Sequence, residues 1–124
     1  MIKGIGTDIV SITRIENALA RHGDRFAKRI LGPDEYSSFV THKQQANFLA
    51  KRFAAKEAVA KALGTGFANG VSWQDIQLSH YDSGQPKVSL SNAALAHFNK
   101  LKGEQVLISL SDELELVSAF VIFE

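Results

Sequence analysis

Residues 44 to 63, QQANFLAKRFAAKEAVAKAL, run for twenty positions without glycine or proline and include seven alanines. Strong helix formers at this density predict one long helix, and Gly64 follows as a natural C-terminal cap. At 100° per residue, Phe53, Glu57 and Lys61 share a face with Ala50, Ala54 and Ala60, while Phe48, Ala55, Val59 and Leu63 lie opposite. A helix that is apolar on two sides packs centrally. The rest of the chain therefore has to cover it from two directions.

The remaining segments provide those covers. Ile2 to Val10 alternates with the period of a strand, and Thr13 with Glu16 forms a capping-box signal for a helix ending near Gly23. A second helical piece covers Asp24 to Leu31. After the break at Gly32 a third begins, with Pro33 in its first turn and Asp34 and Glu35 placed well against its dipole. Beyond the long helix, WQDIQLSHY, PKVSLS, QVLISLS and LVSAFVIF read as strands, DSGQP and SDELE as turns, and NAALAHFNKLKG as a helix begun by Ser91 or Asn92. The expected fold is α+β with a largely antiparallel sheet against the long helix, in a single domain over residues 1–124. A chain of 124 residues with net charge +1 does not suggest a nucleic-acid binder. It has no cysteine and no long apolar run, which fits a protein that works in the cytoplasm without a membrane anchor.

Asp8 interrupts the first apolar strand. Alternation puts it on one face with Gly4, Gly6 and Val10, next to two positions without side chains. Such a glycine pair marks close approach of another backbone or of a ligand. Asp8 either ends the strand and caps the next helix, or it faces a partner. Glu57 and Lys61 have the same two-sided reading. As a solvated pair they contribute only about 0.2 to 0.5 kcal/mol, whereas beside Asp8 they make a site. Two carboxylates can hold a hard divalent cation such as Mg2+, whose other positions go to water and phosphate oxygens, with a lysine at the same phosphates. Arg52, Lys51 and Lys56 decorate the same helix, and Lys43 lies just before it. The tract ALGTGFANG offers backbone amides to an anion, or is only a helix stop; its spacing is not that of a P-loop.

Taken together and in this order, GIGTDIVSITRIE, FLAKRFAAKEAVAKALGTG and GQPKVSLS resemble the holo-acyl-carrier-protein synthase family, the small 4'-phosphopantetheinyl transferases. The closing SLSDELELVSAFVIFE is similar to that family's final hairpin. The resemblance implies that coenzyme A donates its phosphopantetheine arm to a serine of an acyl carrier protein in support of fatty acid biosynthesis, leaving adenosine 3',5'-bisphosphate. It implies Asp8 and Glu57 as magnesium ligands and Lys61 at the pyrophosphate. Lys43, Arg52 and the amides of Gly64, Thr65 and Gly66 would serve other parts of coenzyme A. Many family members carry a histidine where this chain has Ser111, Asp112 and Glu113. The serine proton then has two candidate acceptors, Asp112 and Glu57, unless Asp112 only braces the turn.

Arg14, Ala18 and Arg21 form one stripe, with Arg25 and Phe26 after the Gly23 break. Scattered arginines are usually a solvated face. In the family this helix meets the acidic carrier, so the resemblance implies docking through Arg14, Arg21, Arg25 and Phe26. It also implies a homotrimer with active sites between protomers. The four histidines show no metal-ligand spacing, and Trp73 reads as core or interface. A magnesium-dependent pyrophosphatase and a non-enzymatic module for acidic helical proteins are the rival readings.

Overall fold

Two glycines let the first strand lie directly on the long helix. The computed structural model describes residues 1–124. In it β1 (Gly4–Ser11) packs its inner face on α4 (Gln45–Leu63). A Cβ at Gly4 would come within 2.5 Å of the Ala62 carbonyl oxygen. One at Gly6 would overlap the Ala58 carbonyl and lie 2.8 Å from the Ala62 nitrogen. The space beside Asp8 is thus filled by helix backbone, one of the two occupants a strand glycine pair allows.

The other elements are α1 (Ile12–His22), α2 (Asp24–Ile30), α3 (Pro33–Val40), β2 (Ile76–His80), β3 (Pro86–Leu90), α5 (Asn92–Lys100), β4 (Val106–Glu113) and β5 (Leu116–Phe123). All strand pairing is antiparallel, as a three-stranded sheet in the order β1-β5-β4 and a hairpin of β2 and β3. This is the expected α+β fold. Val10, Val117, Ala119, Val121 and Phe123 face α4 and are buried. The outer face of the same sheet carries Ile5, Ile9, Leu107, Leu116 and Phe120, each at least 40% exposed. Register places Ile5, Ile122 and Leu107 in one apolar row across the three strands, and Phe120 between Thr7 and Ser109 in the next.

Several local readings change. Ser11, not Thr13, caps α1, its Oγ accepting from Arg14 N at 3.4 Å. Trp73 to Asp75 form a 3-10 turn, so β2 begins only at Ile76. The cause is Asp75, which accepts from Ser72 N and Ser72 Oγ and closes the turn before the strand. Asp75 also accepts from Asn92 Nδ2 and Ala94 N, and so caps α5, whose own N-cap Ser91 makes no side-chain cap bond. β4 continues through Glu113, leaving only Leu114 and Glu115 for the hairpin turn. Asp112 therefore sits within a strand, opposite Val117.

Two of the basic residues that seemed to decorate α4 are inside. Lys56 is fully buried, and Arg52 nearly so. The Arg52 guanidinium lies over the Phe48 ring at 3.6 Å, with Nε 3.9 Å from Glu35 Oε2. Lys56 Nζ donates to Glu35 Oε1 at 2.6 Å. Burial pushes both basic groups below their usual range, and Glu35 pulls them back. Breaking such a buried pair from one side costs about 3 to 5 kcal/mol.

Candidate active site

β1 and the C-terminal half of α4 bring three of the expected residues together. Asp8 follows Gly4 and Gly6 on the strand face that meets the helix, and Lys61 crosses to it from α4. Lys61 Nζ donates to Asp8 Oδ1 at 3.1 Å and to Thr7 O at 3.0 Å. Half the Lys61 side chain is exposed, so solvent screens this pair and limits it to about 1 kcal/mol or less. The ammonium can exchange Asp8 for another anion at small cost.

Glu57 lies one turn before Lys61 and is half-buried. Burial pushes its carboxyl above the usual range, and the negative charge of Asp8 pushes it further. Lys61 and Arg14 oppose both effects. A carboxylate whose protonation is raised by burial and by a second carboxylate marks a locus short of positive charge. That is the electrostatic condition for a divalent cation. Oxygen donors from two carboxylates, with the remaining positions left to water and phosphate, fit Mg2+. No cluster of three or more acidic, histidine or cysteine ligands exists, and none is needed for a cation bound this way.

The other expected residues lie elsewhere. Gly64 at φ 79° and Gly66 at φ 57° end α4 immediately beyond Lys61. Their amides return to helix carbonyls, Gly64 N to Lys61 O and Gly66 N to Ala60 O. Only the Thr65 amide of the three stays outside these capping bonds. Arg52 precedes Lys61 by nine residues, about 14 Å along the axis and half a turn away in azimuth. Lys43 is exposed before the first turn of α4. Asp112 is drawn to that same end, 3.7 Å from Lys51 Nζ and 3.5 Å from Asn47 Nδ2. Within one chain the expected residues thus split into two groups, one at each end of α4.

Arg14, Arg21 and Arg25 are exposed, and Phe26 is half-buried. Arg14 also does something the sequence did not reveal: its guanidinium sits 5.5 Å from the Phe53 ring centroid and acts on Glu57. It joins the basic stripe to the acids. Phe26, Phe53, Trp73 and Phe67 continue from there as a row of aromatic contacts, ending in a stacked Phe67–Trp73 pair 3.8 Å apart. Trp73 is half-buried against the core.

A basic helix beside paired acids on this fold defines a class. The chain belongs to the 4'-phosphopantetheinyl transferase superfamily, whose family model matches residues 4–112, and it is an enzyme of that class. It is 52% identical over 122 residues to the holo-[acyl-carrier-protein] synthase of Halorhodospira halophila, covering 98% of this chain and 97% of that one. The crystal structure of the Neisseria meningitidis holo-[acyl-carrier-protein] synthase superposes with a TM-score of 0.92 at 45% identity, covering 100% and 99% of the two chains. The Bacillus anthracis synthase, solved in complex with CoA (3',5'-ADP), gives 0.83 at 37% identity, with 99% and 96% covered.

Proposed function

We propose that the Asp8–Glu57–Lys61 site carries out the transfer for which these relatives are named, moving the 4'-phosphopantetheine arm of coenzyme A to a serine of an apo acyl carrier protein. The observation that carries this reading is the contact of Lys61 with Asp8 beside a half-buried Glu57 of raised basicity. Asp8 and Glu57 would hold Mg2+, which would supply neutralisation of the pyrophosphate charge. Lys61 moves from Asp8 to a pyrophosphate oxygen. The serine Oγ forms a bond to the phosphorus that bears the pantetheine arm, the bridging P–O bond breaks, and adenosine 3',5'-bisphosphate leaves with the bond's electron pair. Positioning and charge neutralisation are the main help such a transfer needs. Glu57 takes the serine proton. Asp112, tied to Lys51 and Asn47 two strands away from β1, serves the other end of α4.

The carrier docks on α1 and α2, where Arg14, Arg21 and Arg25 meet its acidic helices and Phe26 adds an apolar contact. The split of coenzyme A residues between the two ends of α4 supports a site shared between copies. Lys61 and the Gly64–Gly66 turn of one protomer hold the pyrophosphate, while Lys43 and Arg52 of a neighbour hold the nucleotide end. The exposed apolar face of the β1-β5-β4 sheet supports the homotrimer that such sharing requires. No helix is long and apolar enough to cross a membrane, which accords with work in the cytoplasm for fatty acid biosynthesis.

Mass spectrometry of apo carrier protein after incubation with the chain, coenzyme A and Mg2+ tests the reading. A phosphopantetheine adduct is expected, abolished by Asp8→Ala and by chelator. Hydrolysis of coenzyme A at the same rate without carrier would instead make the site a pyrophosphatase.

A further inference from the structure

The end of α2 is held from outside. A helix leaves its last carbonyls without intrahelical donors, and in α2 these belong to Lys28, Arg29 and Ile30. Gln74 Nε2 donates to Lys28 O at 3.0 Å and to Arg29 O at 2.6 Å. Lys56 Nζ donates to Ile30 O at 2.6 Å. Its other two bonds go to Glu35 Oε1 at 2.6 Å and Trp73 O at 3.2 Å, so all three ammonium donors are used. Glu35 completes the joint, accepting also from Gly32 N at 2.9 Å and Leu78 N at 3.0 Å.

The opposite end of α2 is held more lightly, by a single exposed hydrogen bond that Tyr36 Oη donates to Asp24 Oδ2. Its N-cap is Gly23, which makes no side-chain cap bond, and seven residues are too few to sustain a helix alone. The direction of α2 is therefore set at its C-terminal end. That end is fastened by Lys56, the residue before Glu57, and by Gln74, which follows Trp73 in the 3-10 turn. On α2 itself Arg25 is exposed, and half-buried Phe26 packs against the core beside Phe53, with 6.5 Å between the ring centroids.

We infer that Lys56 and Gln74 are positioning residues, clamping the C-terminal end of α2 so that a carrier docked on this helix presents its serine at a fixed distance from Glu57. The inference rests on the reading of α1 and α2 as the docking surface. It differs from a purely structural role in one respect: the clamp governs the carrier side of the reaction and leaves coenzyme A binding alone.

Gln74 is exposed, so its replacement spares the core. Gln74→Leu removes the donor at similar size, and Gln74→Lys keeps one. The expected result for Gln74→Leu is a fall of about five-fold in kcat/KM for carrier, the loss of one modest hydrogen bond's worth of order. The KM for coenzyme A stays unchanged, the thermal midpoint falls by no more than about 4 °C, amide exchange across residues 24–30 quickens, and Gln74→Lys restores the wild-type values. Carrier kinetics equal to wild type would overturn the inference. So would carrier and coenzyme A parameters that decline together with the folded fraction. Lys56→Met, measured on folded protein, should lower kcat/KM for carrier further than Gln74→Leu does, with a smaller change in the KM for coenzyme A because Glu35 also holds Arg52. Arg25→Glu separates the two layers of argument. If it weakens carrier turnover while Gln74→Leu does not, the clamp alone fails; if it leaves carrier turnover unchanged, the docking reading fails and the clamp with it.

Discussion

Gly6→Ala tests whether the seam between β1 and α4 makes the site. The added Cβ would overlap the Ala58 carbonyl and approach the Ala62 nitrogen to 2.8 Å, where ordinary contact begins at 3.4 Å. The gap to the nitrogen alone requires a lift of 0.6 Å, and the overlap with the carbonyl requires more. Both obstacles are backbone, so no side chain can rotate away, and the cost falls at or above the upper end of overpacking, about 3 kcal/mol. For a domain of this size that is roughly a 10 °C fall in thermal midpoint. The strand and helix that separate are the ones carrying Asp8 and Lys61. A lift of about 1 Å takes their 3.1 Å contact beyond ion-pair range. Activity should then fall further than the loss of folded protein explains. Thermal denaturation and carrier modification at a temperature where the variant remains folded measure the two effects. Ala58→Gly should not rescue, because the obstruction is main chain. Wild-type activity in folded Gly6→Ala, or rescue by Ala58→Gly, would refute the argument.

Glu57→Gln should abolish transfer while changing stability with pH in a definite direction. Burial and Asp8 raise the folded carboxyl, so its contribution is fully present below the unfolded value of about 4.3 and is lost as pH rises through the raised one. In the absence of divalent cation, the thermal midpoint of the glutamine variant minus that of wild type should therefore increase from pH 4 toward neutrality; a difference that decreases over this interval would contradict the raised carboxyl. Lys61→Met should cut turnover by two orders of magnitude or more with little loss of stability, since the exposed ion pair contributes about 1 kcal/mol at most; calorimetry with steady-state kinetics checks both. Phe120→Asp, on the exposed sheet face, should yield a folded monomer by light scattering that has lost transfer with its acids intact. An active monomer would remove the shared-site proposal.

The fold was legible where a pattern is carried by many residues. The alanine-rich run and its glycine cap gave α4 to within a residue, and alternation gave β5 from Leu116 to Phe123 without error. Elements set by one distant side chain were not legible. Asp75 caps α5 from seventeen residues upstream with no local pattern to announce it, and its turn with Ser72, a Ser-x-x-Asp capping box, was hidden in a stretch that reads as a strand. The meeting of Asp8 with Lys61 beside Glu57 was legible in part: an acid among strand glycines stands out, whereas a Glu–Lys pair at helical spacing is common and took its meaning from the family resemblance. The inward course of Lys56 and Arg52 was not, since long basic side chains are rarely buried and their partner Glu35 looks like an ordinary first-turn acid.

This difference separates two uses of charge on one helix. Lys56 and Glu35 are enclosed and saturated: every donor of the ammonium is bonded, and the carboxylate accepts two backbone amides besides. Such a network is satisfied in one arrangement, and moving any member strands the others in a low-dielectric interior. Glu57, the next residue, is the reverse: half-buried, raised by Asp8, and facing a lysine that is free to leave. On the proposed reading it exchanges partners during a turnover while the enclosed network beside it keeps α4 in place. The enclosed pair therefore fixes α2 and α3 against α4, and a substitution that loosens it should reach the α2 surface before it reaches Asp8 and Glu57.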